Sequence, residues 1–171
     1  MNRNMTRQLL FIILLCFLAS CNNESDDKIK GQVTDIAVNY ASGQLKDPEK
    51  NVYGNGTIIL SDSDKKYSID PAKINLGLID EDDKMDAIIT ISSFRGANLD
   101  LIEHLVVINT NGKYMLIRAV ESDMKILQIK DRIITAKVPT RPRTSPLYNC
   151  ESCQEIVNYR FFNGDLVKIE N

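Results

Sequence analysis

The chain has 171 residues, of which 43% are hydrophobic and 26% charged, a balance typical of a folded globular domain. A net charge of −2 and the absence of tryptophan argue against a nucleic-acid partner, because such binding needs a basic field and aromatic stacking surfaces. The one histidine, His104, excludes a multi-histidine metal site and disfavours a histidine-based catalytic triad.

Residues 1–20 have the pattern of an export signal. Arg3 and Arg7 precede an unbroken apolar run, residues 9–18. As a helix, this run would be about 15 Å long, half of the roughly 30 Å that a bilayer core requires. The run is therefore typical of a signal peptide and too short to span a membrane.

The four residues that follow, Leu18-Ala19-Ser20-Cys21, resemble the lipobox of bacterial lipoproteins: a leucine, two small residues and a cysteine. This resemblance implies cleavage before Cys21, a diacylglycerol on its thiol and an acyl chain such as palmitate on its amine. Two or three chains anchor a protein stably in a membrane. The resemblance thus implies a cell-envelope lipoprotein, in the outer membrane and facing either the periplasm or the cell surface. The alternative is an ordinary secretory signal.

Residues 21–28 are polar and acidic after the cysteine and predict a solvated tether between lipid and domain. The acidic run also resembles the surface-export tether of Bacteroidetes lipoproteins. Residues 29–171 are interpreted as a single β-rich domain.

The predicted fold class is mainly β (α+β), an antiparallel meander sheet or sandwich with one N-terminal helix. Apolar residues at helical spacing, from Ile29 to Tyr40, predict a helix over 29–45. Short runs rich in Ile, Val and Leu follow, separated by turn signals such as Asn111-Gly112 and Asn163-Gly164. A single helical turn is expected at 97–103. Strands are predicted at 57–60, 66–69, 74–79, 87–92, 104–109, 114–120, 125–129, 132–138, 155–162 and 166–169.

The acidic loop at 78–89 resembles the D-x-D-G-x-x-D-A-V-V segment of exported bacterial proteins, including the calcium loops of FG-GAP propellers. The resemblance implies Ca²⁺ ligands at Asp80, Asp82 and Asp86, since hard cations prefer clustered carboxylate oxygens. Leu78 stands where the loop usually has its first aspartate, and Asp83 stands at the turn glycine. The alternative is a solvated acidic turn in which Asp86 accepts hydrogen bonds from the loop backbone.

Cys150 and Cys153 form a closely spaced pair that predicts a local disulfide, because export compartments favour oxidation. A free reactive pair and a redox site are the alternatives. The preceding loop, residues 139–149, holds three prolines together with Arg141 and Arg143. A stiff loop with arginines suits contact with an envelope protein or an anion, and the alternative is an exposed connector. His104 is interpreted as structural.

Residues 56–170 also resemble a group of small, uncharacterised exported bacterial domains, which implies a common fold and no known activity. The motifs that carry this resemblance lie at 56–60, 82–89, 105–112, 126–138, 146–153 and 159–167.

The sequence favours a lipid-anchored envelope protein with a non-catalytic binding domain of unknown ligand. Its partners are the membrane, through the anchor, and an envelope protein, with no nucleic acid. A calcium-dependent envelope enzyme and a thiol-redox helper stay open as alternatives.

Overall fold

The computed structural model describes residues 25–146, 148 and 150–170, apart from the side chain of Asp100. The predicted signal peptide, the lipidation site Cys21 and the first part of the tether lie outside the described residues.

The described residues contain one α-helix, α1, which spans Asp26–Ser42. It confirms the predicted N-terminal helix, but it begins and ends three residues earlier than expected. Asp26 and Asp27 occupy its first turn, where negative charge interacts favourably with the helix dipole. Its buried stripe repeats every four residues and packs on a sheet. This stripe consists of Ile29, Val33, Ala37 and Ala41.

The rest of the described chain is two antiparallel sheets, as the fold class predicts. The first sheet is a six-stranded meander in the order β1-β2-β3-β4-β5-β6, and the second is a four-stranded meander in the order β10-β9-β8-β7. The strands of the first sheet are β1 (Glu49–Val52), β2 (Ile58–Ser61), β3 (Lys66–Gly77), β4 (Asp86–Arg95), β5 (Asn98–Thr110) and β6 (Lys113–Glu121). Those of the second are β7 (Lys125–Lys130), β8 (Ile133–Pro139), β9 (Gln154–Phe162) and β10 (Asp165–Lys168).

Two inner strands of the first sheet, β4 and β5, are buried on both faces. Because side chains alternate along a strand, each of these strands contributes to two separate cores. The residues facing the helix are Ala87, Ile89, Ile91, Leu105 and Val107. The residues facing the second sheet are Ile88, Val106 and Ile108, and they meet Met124, Ile126, Ile134 and Ala136. The layers are therefore helix, six-stranded sheet and four-stranded sheet.

Three details of the strand pattern differ from the sequence-based expectation. Strand β1, Glu49–Val52, pairs with β2, although no strand is predicted before residue 57. The helical turn predicted at 97–103 is wrong: Gly96, at φ +58°, completes a turn from β4, and β5 begins at Asn98. The strands predicted at 66–69 and 74–79 are one long strand, β3, whose pairing with β4 shifts register between Ile69 and Ile74.

The second sheet packs closely against the first at Gly77, the last residue of β3. A Cβ atom there would lie 2.6 Å from the Cβ of Ile129 and 2.9 Å from its carbonyl oxygen. Only glycine allows β3 and β7 to come this close. Among the described residues, no helix is sufficiently long and apolar to cross a bilayer.

Candidate functional site: a polar cleft between the sheets

A cleft of about 400 Å³ lies where strands β3, β4 and β5 of the first sheet face the start of β7. Its volume falls within the roughly 300–1,000 Å³ that is usual for small-molecule sites. Its lining mixes polar and apolar side chains, as such sites commonly do. The lining residues that carry the argument are Lys73, Asn75, Thr90, Ser92, Ile102, Asp123, Met124, Lys125 and Ile126.

Four of the polar side chains in this lining have unused hydrogen-bonding capacity. Within the described part of the chain, the side chains of Lys73, Asn75, Ser92 and Lys125 have no hydrogen-bond or ion-pair partner. Their N–H and O–H groups are therefore available to donate hydrogen bonds to a bound molecule. Beneath them, Met124 and Ile126 are buried at 4% and 7% exposure and form an apolar floor.

Thr90 connects the cleft to the buried His104. The Thr90 hydroxyl oxygen lies 2.9 Å from Nδ1 of His104, and Nε2 lies 3.1 Å from the carbonyl oxygen of Ser122. Because a carbonyl oxygen only accepts, Nε2 carries the proton and Nδ1 accepts from Thr90. Burial lowers the pKa of His104 to about 4. The imidazole is therefore neutral near pH 7 and holds β4, β5 and the segment after β6 together.

The proline-rich loop is fixed to the cleft by Arg143. Its Nε lies 2.7 Å from each carboxylate oxygen of Asp123, and its Nη2 also donates to Asp123 Oδ1. This guanidinium holds the pKa of Asp123 below its usual range. Arg143, which is predicted to contact a partner, thus binds Asp123 in the cleft wall. Arg141 and Arg143 are both exposed, and partner contact by either stays a prediction.

The predicted disulfide closes the base of the same loop. The sulfur atoms of Cys150 and Cys153 are bonded, and the two Cα atoms are 5.2 Å apart. A short 3₁₀ turn, Glu151–Cys153, leads from the bridge into β9, and the Thr140 amide donates to the Cys153 carbonyl at 2.9 Å. The bridge therefore fixes the end of the proline-rich loop that leads into β9, and the Thr140–Cys153 hydrogen bond connects this end to the start of the loop.

Asp86 lies in the core beside the acidic loop. It is fully buried, and its carboxylate accepts from the amides of Ile79 at 2.8 Å, Asp80 at 3.4 Å and Asn109 at 2.9 Å. Burial raises its pKa, and the amide hydrogen bonds oppose that shift. Asp86 thus fixes the loop to the sheet, which was the alternative interpretation from the sequence.

The other two predicted calcium ligands bind the loop's own backbone. Asp80 Oδ1 accepts from the Asp82 amide at 2.9 Å, and Asp82 Oδ1 accepts from the Lys84 amide at 2.8 Å. Among the described residues, no three His, Cys, Asp or Glu side chains are grouped so that they could hold a metal ion. Calcium binding by Asp80, Asp82 and Asp86 stays a prediction.

A positive charge from the second sheet lies against the acidic loop. Arg132, in the β7–β8 turn, donates through Nε to the Asp80 carbonyl at 2.7 Å. Its Nη2 reaches the carbonyls of Glu81 and Asp82 at 3.2 and 3.3 Å and the carboxylate of Asp83 at 3.0 Å. No local pattern predicts this contact, because the arginine is about fifty positions away along the chain.

We expect Arg132→Met to lower the free energy of unfolding by about 1–2 kcal/mol, since it removes several hydrogen bonds worth about 0.5–1.5 kcal/mol each. Methionine keeps the unbranched stem and the same backbone preference at φ +62°. Urea denaturation followed by circular dichroism measures the change. Arg160→Met, on the neighbouring strand β9, is the matched control and should change stability by less than about 0.5 kcal/mol. Equal losses in the two variants would contradict the role of Arg132.

Comparisons of the chain with protein-family models, curated proteins and solved structures found no match.

The inter-sheet cleft was not predicted from the sequence. Its lining residues are common types, come from four separate strands and have no characteristic spacing.

Proposed function

We propose that this protein is a lipid-anchored component of the bacterial cell envelope whose β-rich domain is a non-catalytic binding module. The inter-sheet cleft is its ligand site. The observation that carries this proposal is a set of four polar side chains that have no partner among the described residues and surround an apolar floor. By contrast, His104 and Asp86 use their hydrogen-bonding atoms inside the fold, which supports binding over catalysis.

The lipobox at residues 18–21 supports the anchor, and the position of the helix adds a geometric consequence. α1 begins at Asp26, five residues after Cys21. Five extended residues reach at most about 18 Å. A lipid on Cys21 would therefore hold the domain close to the membrane surface.

The two alternative functions receive less support. One carboxylate oxygen of Asp80 and one of Asp82 accept from backbone amides, and the carbonyls of residues 80–82 accept from Arg132, so these oxygens are already engaged. Cys150 and Cys153 are joined and lie at the base of a loop, where they stabilise its connection to β9.

The anchor is tested by the intact mass of the protein purified from its membrane. We expect a chain that begins at Cys21 and carries acyl chains. Cys21→Ser should lack the acyl mass, whereas Cys16→Ser, a cysteine within the predicted signal peptide, should give the wild-type mass. An uncleaved wild-type chain without acyl groups would overturn the anchor.

The binding site is tested by the small molecules that the full-length protein retains through purification from the envelope. Denaturation releases them, and mass spectrometry compares wild type with Ser92→Trp, which fills the cleft. Ala72→Trp is a second cleft variant in case the first does not fold, and Ser63→Trp, in an exposed turn, is the control. We expect a compound that is depleted only in the cleft variants. Identical compounds in all four proteins would overturn the cleft as the site.

A further inference from the structure

We propose that the cleft binds a ligand that combines an anionic group, a phosphate or a carboxylate, with a short apolar body. This inference rests on the proposed function, because it names the ligand class of the same site.

The charge of the cleft favours an anion. Lys73 and Lys125 bring two ammonium groups into the lining, and neither has an ion-pair partner among the described residues. Asp123 is the one acidic residue in the described lining, and Arg143 binds its carboxylate. The cleft is therefore positive in a chain whose net charge is −2. Such a local field attracts anions selectively.

The two lysines lie on opposite walls, which suits a group with several acceptor oxygens. Lys73 belongs to β3 of the first sheet, within the segment where pairing with β4 shifts register, and Lys125 begins β7 of the second sheet. Asn75 and Ser92 add uncharged donors on the same side as Lys73. A phosphate or carboxylate accepts several hydrogen bonds at once, and bonds to charged groups are the stronger ones.

The rest of the lining favours an apolar body on the ligand. Ile102, Met124 and Ile126 supply aliphatic surface below the polar groups. No aromatic side chain belongs to the cleft within the described residues, so it offers no stacking surface to a sugar or a nucleobase. A small inorganic anion would leave this apolar surface in contact with water.

The cleft lies beside the anchored end of the helix. Asn75 also lines a second depression, which contains Asp26 and Lys30 of the first turns of α1. If Cys21 is lipidated, the cleft is near the membrane surface. The anionic group can then belong to a lipid headgroup or to a free solute, and the two sources share the same chemistry.

The test uses the full-length lipidated protein in phosphatidylcholine nanodiscs, with ¹³C-labelled methionine methyl groups observed by NMR. Met124 is buried in the floor of the cleft, whereas Met85 and Met115 are each 39% exposed outside its lining and serve as internal controls. The soluble probes are phenyl phosphate, 3-phenylpropanoate and the neutral phenyl glucoside. Nanodiscs that contain phosphatidylglycerol, without added probe, test the lipid source.

We expect phenyl phosphate, phenylpropanoate or the anionic lipid to shift the Met124 signal and to leave Met85 and Met115 unchanged. Lys73→Gln and Lys125→Gln should each weaken this binding about tenfold, since each removes a charged hydrogen-bond donor. Lys113→Gln makes the same charge change at the first residue of β6, outside the cleft lining, and should leave the affinity unchanged.

A shift with the soluble anions identifies a solute, and a shift in anionic nanodiscs identifies a lipid headgroup; either supports the proposal. Equal binding of phenyl glucoside, insensitivity to both lysine substitutions, or no Met124 shift under any condition would overturn it. The proposed function fails separately, because it requires only that filling the cleft depletes some retained compound of any charge.

Discussion

Replacing Asp86 by alanine is expected to lower the free energy of unfolding by about 3–5 kcal/mol, the largest single-residue effect on stability that the fold suggests. The carboxylate accepts hydrogen bonds from three backbone amides, those of Ile79, Asp80 and Asn109. Asp86 is fully buried, so water cannot replace it in the folded state. Its removal would leave buried donors without acceptors.

Asp86→Asn distinguishes lost hydrogen bonding from lost volume. Asparagine has nearly the same shape, but its amide nitrogen would face a backbone donor. We expect a loss of about 2–3 kcal/mol for it, measured by urea denaturation with circular dichroism. Asp35→Asn, on the exposed side of α1, makes the same chemical change and should cost less than about 0.5 kcal/mol. If Asp86→Asn were as stable as Asp35→Asn, the loop would not depend on this carboxylate.

The local elements of this fold could be predicted because their signals lie in adjacent residues. The dipeptides Asn111-Gly112 and Asn163-Gly164 predict tight hairpins, and all four residues have the positive φ that such turns require. The helical stripe from Ile29 likewise depends on a spacing of three or four residues. The helical turn expected at 97–103 failed because pairing with β4 and β6 overrides a short local preference.

The candidate site could not be predicted for the opposite reason. Lys73 and Lys125 line the same cleft only because the second sheet packs over the first. No local sequence pattern predicts this packing of the two sheets. The charge and the stiff loop of Arg143 predict a partner contact, which stays a prediction, but they do not predict its pairing with a carboxylate of the same chain. The carboxylate that binds it, Asp123, lies twenty positions earlier in the chain. The contact between Arg132 and the acidic loop likewise joins residues about fifty positions apart and could not be predicted from a local pattern.

His104 gives the second large expected effect, a loss of stability on mild acidification. Its pKa in the folded protein is about 4, below the ordinary value of 6.5, because burial disfavours the charged imidazolium. Between pH 6.5 and 4, the unfolded chain therefore binds a proton that the folded protein does not. The contribution of His104 to the free energy of unfolding is fully present above pH 6.5 and decreases as the pH falls.

The size of this effect follows from the pKa difference. One pKa unit corresponds to about 1.4 kcal/mol, so His104 alone should cost about 2 kcal/mol between pH 7 and pH 5 and about 3 kcal/mol once the pH is below 4. The raised pKa of Asp86 has the opposite effect on stability, because it favours proton uptake by the folded protein as the pH falls. The contribution of His104 must therefore be isolated by comparison with a variant.

His104→Gln provides that comparison. Glutamine does not titrate, yet its amide can donate to the Ser122 carbonyl and accept from the Thr90 hydroxyl, as the imidazole does. The variant is expected to be less stable than wild type at pH 7. The difference in free energy of unfolding between the two proteins should be about 2 kcal/mol smaller at pH 5. Urea denaturation at both pH values measures this. A constant gap would mean that His104 takes up its proton as readily in the folded protein as in the unfolded chain. Proton uptake would only require the Thr90 hydroxyl to turn from donor to acceptor, so burial of the charge is what keeps the pKa of His104 low.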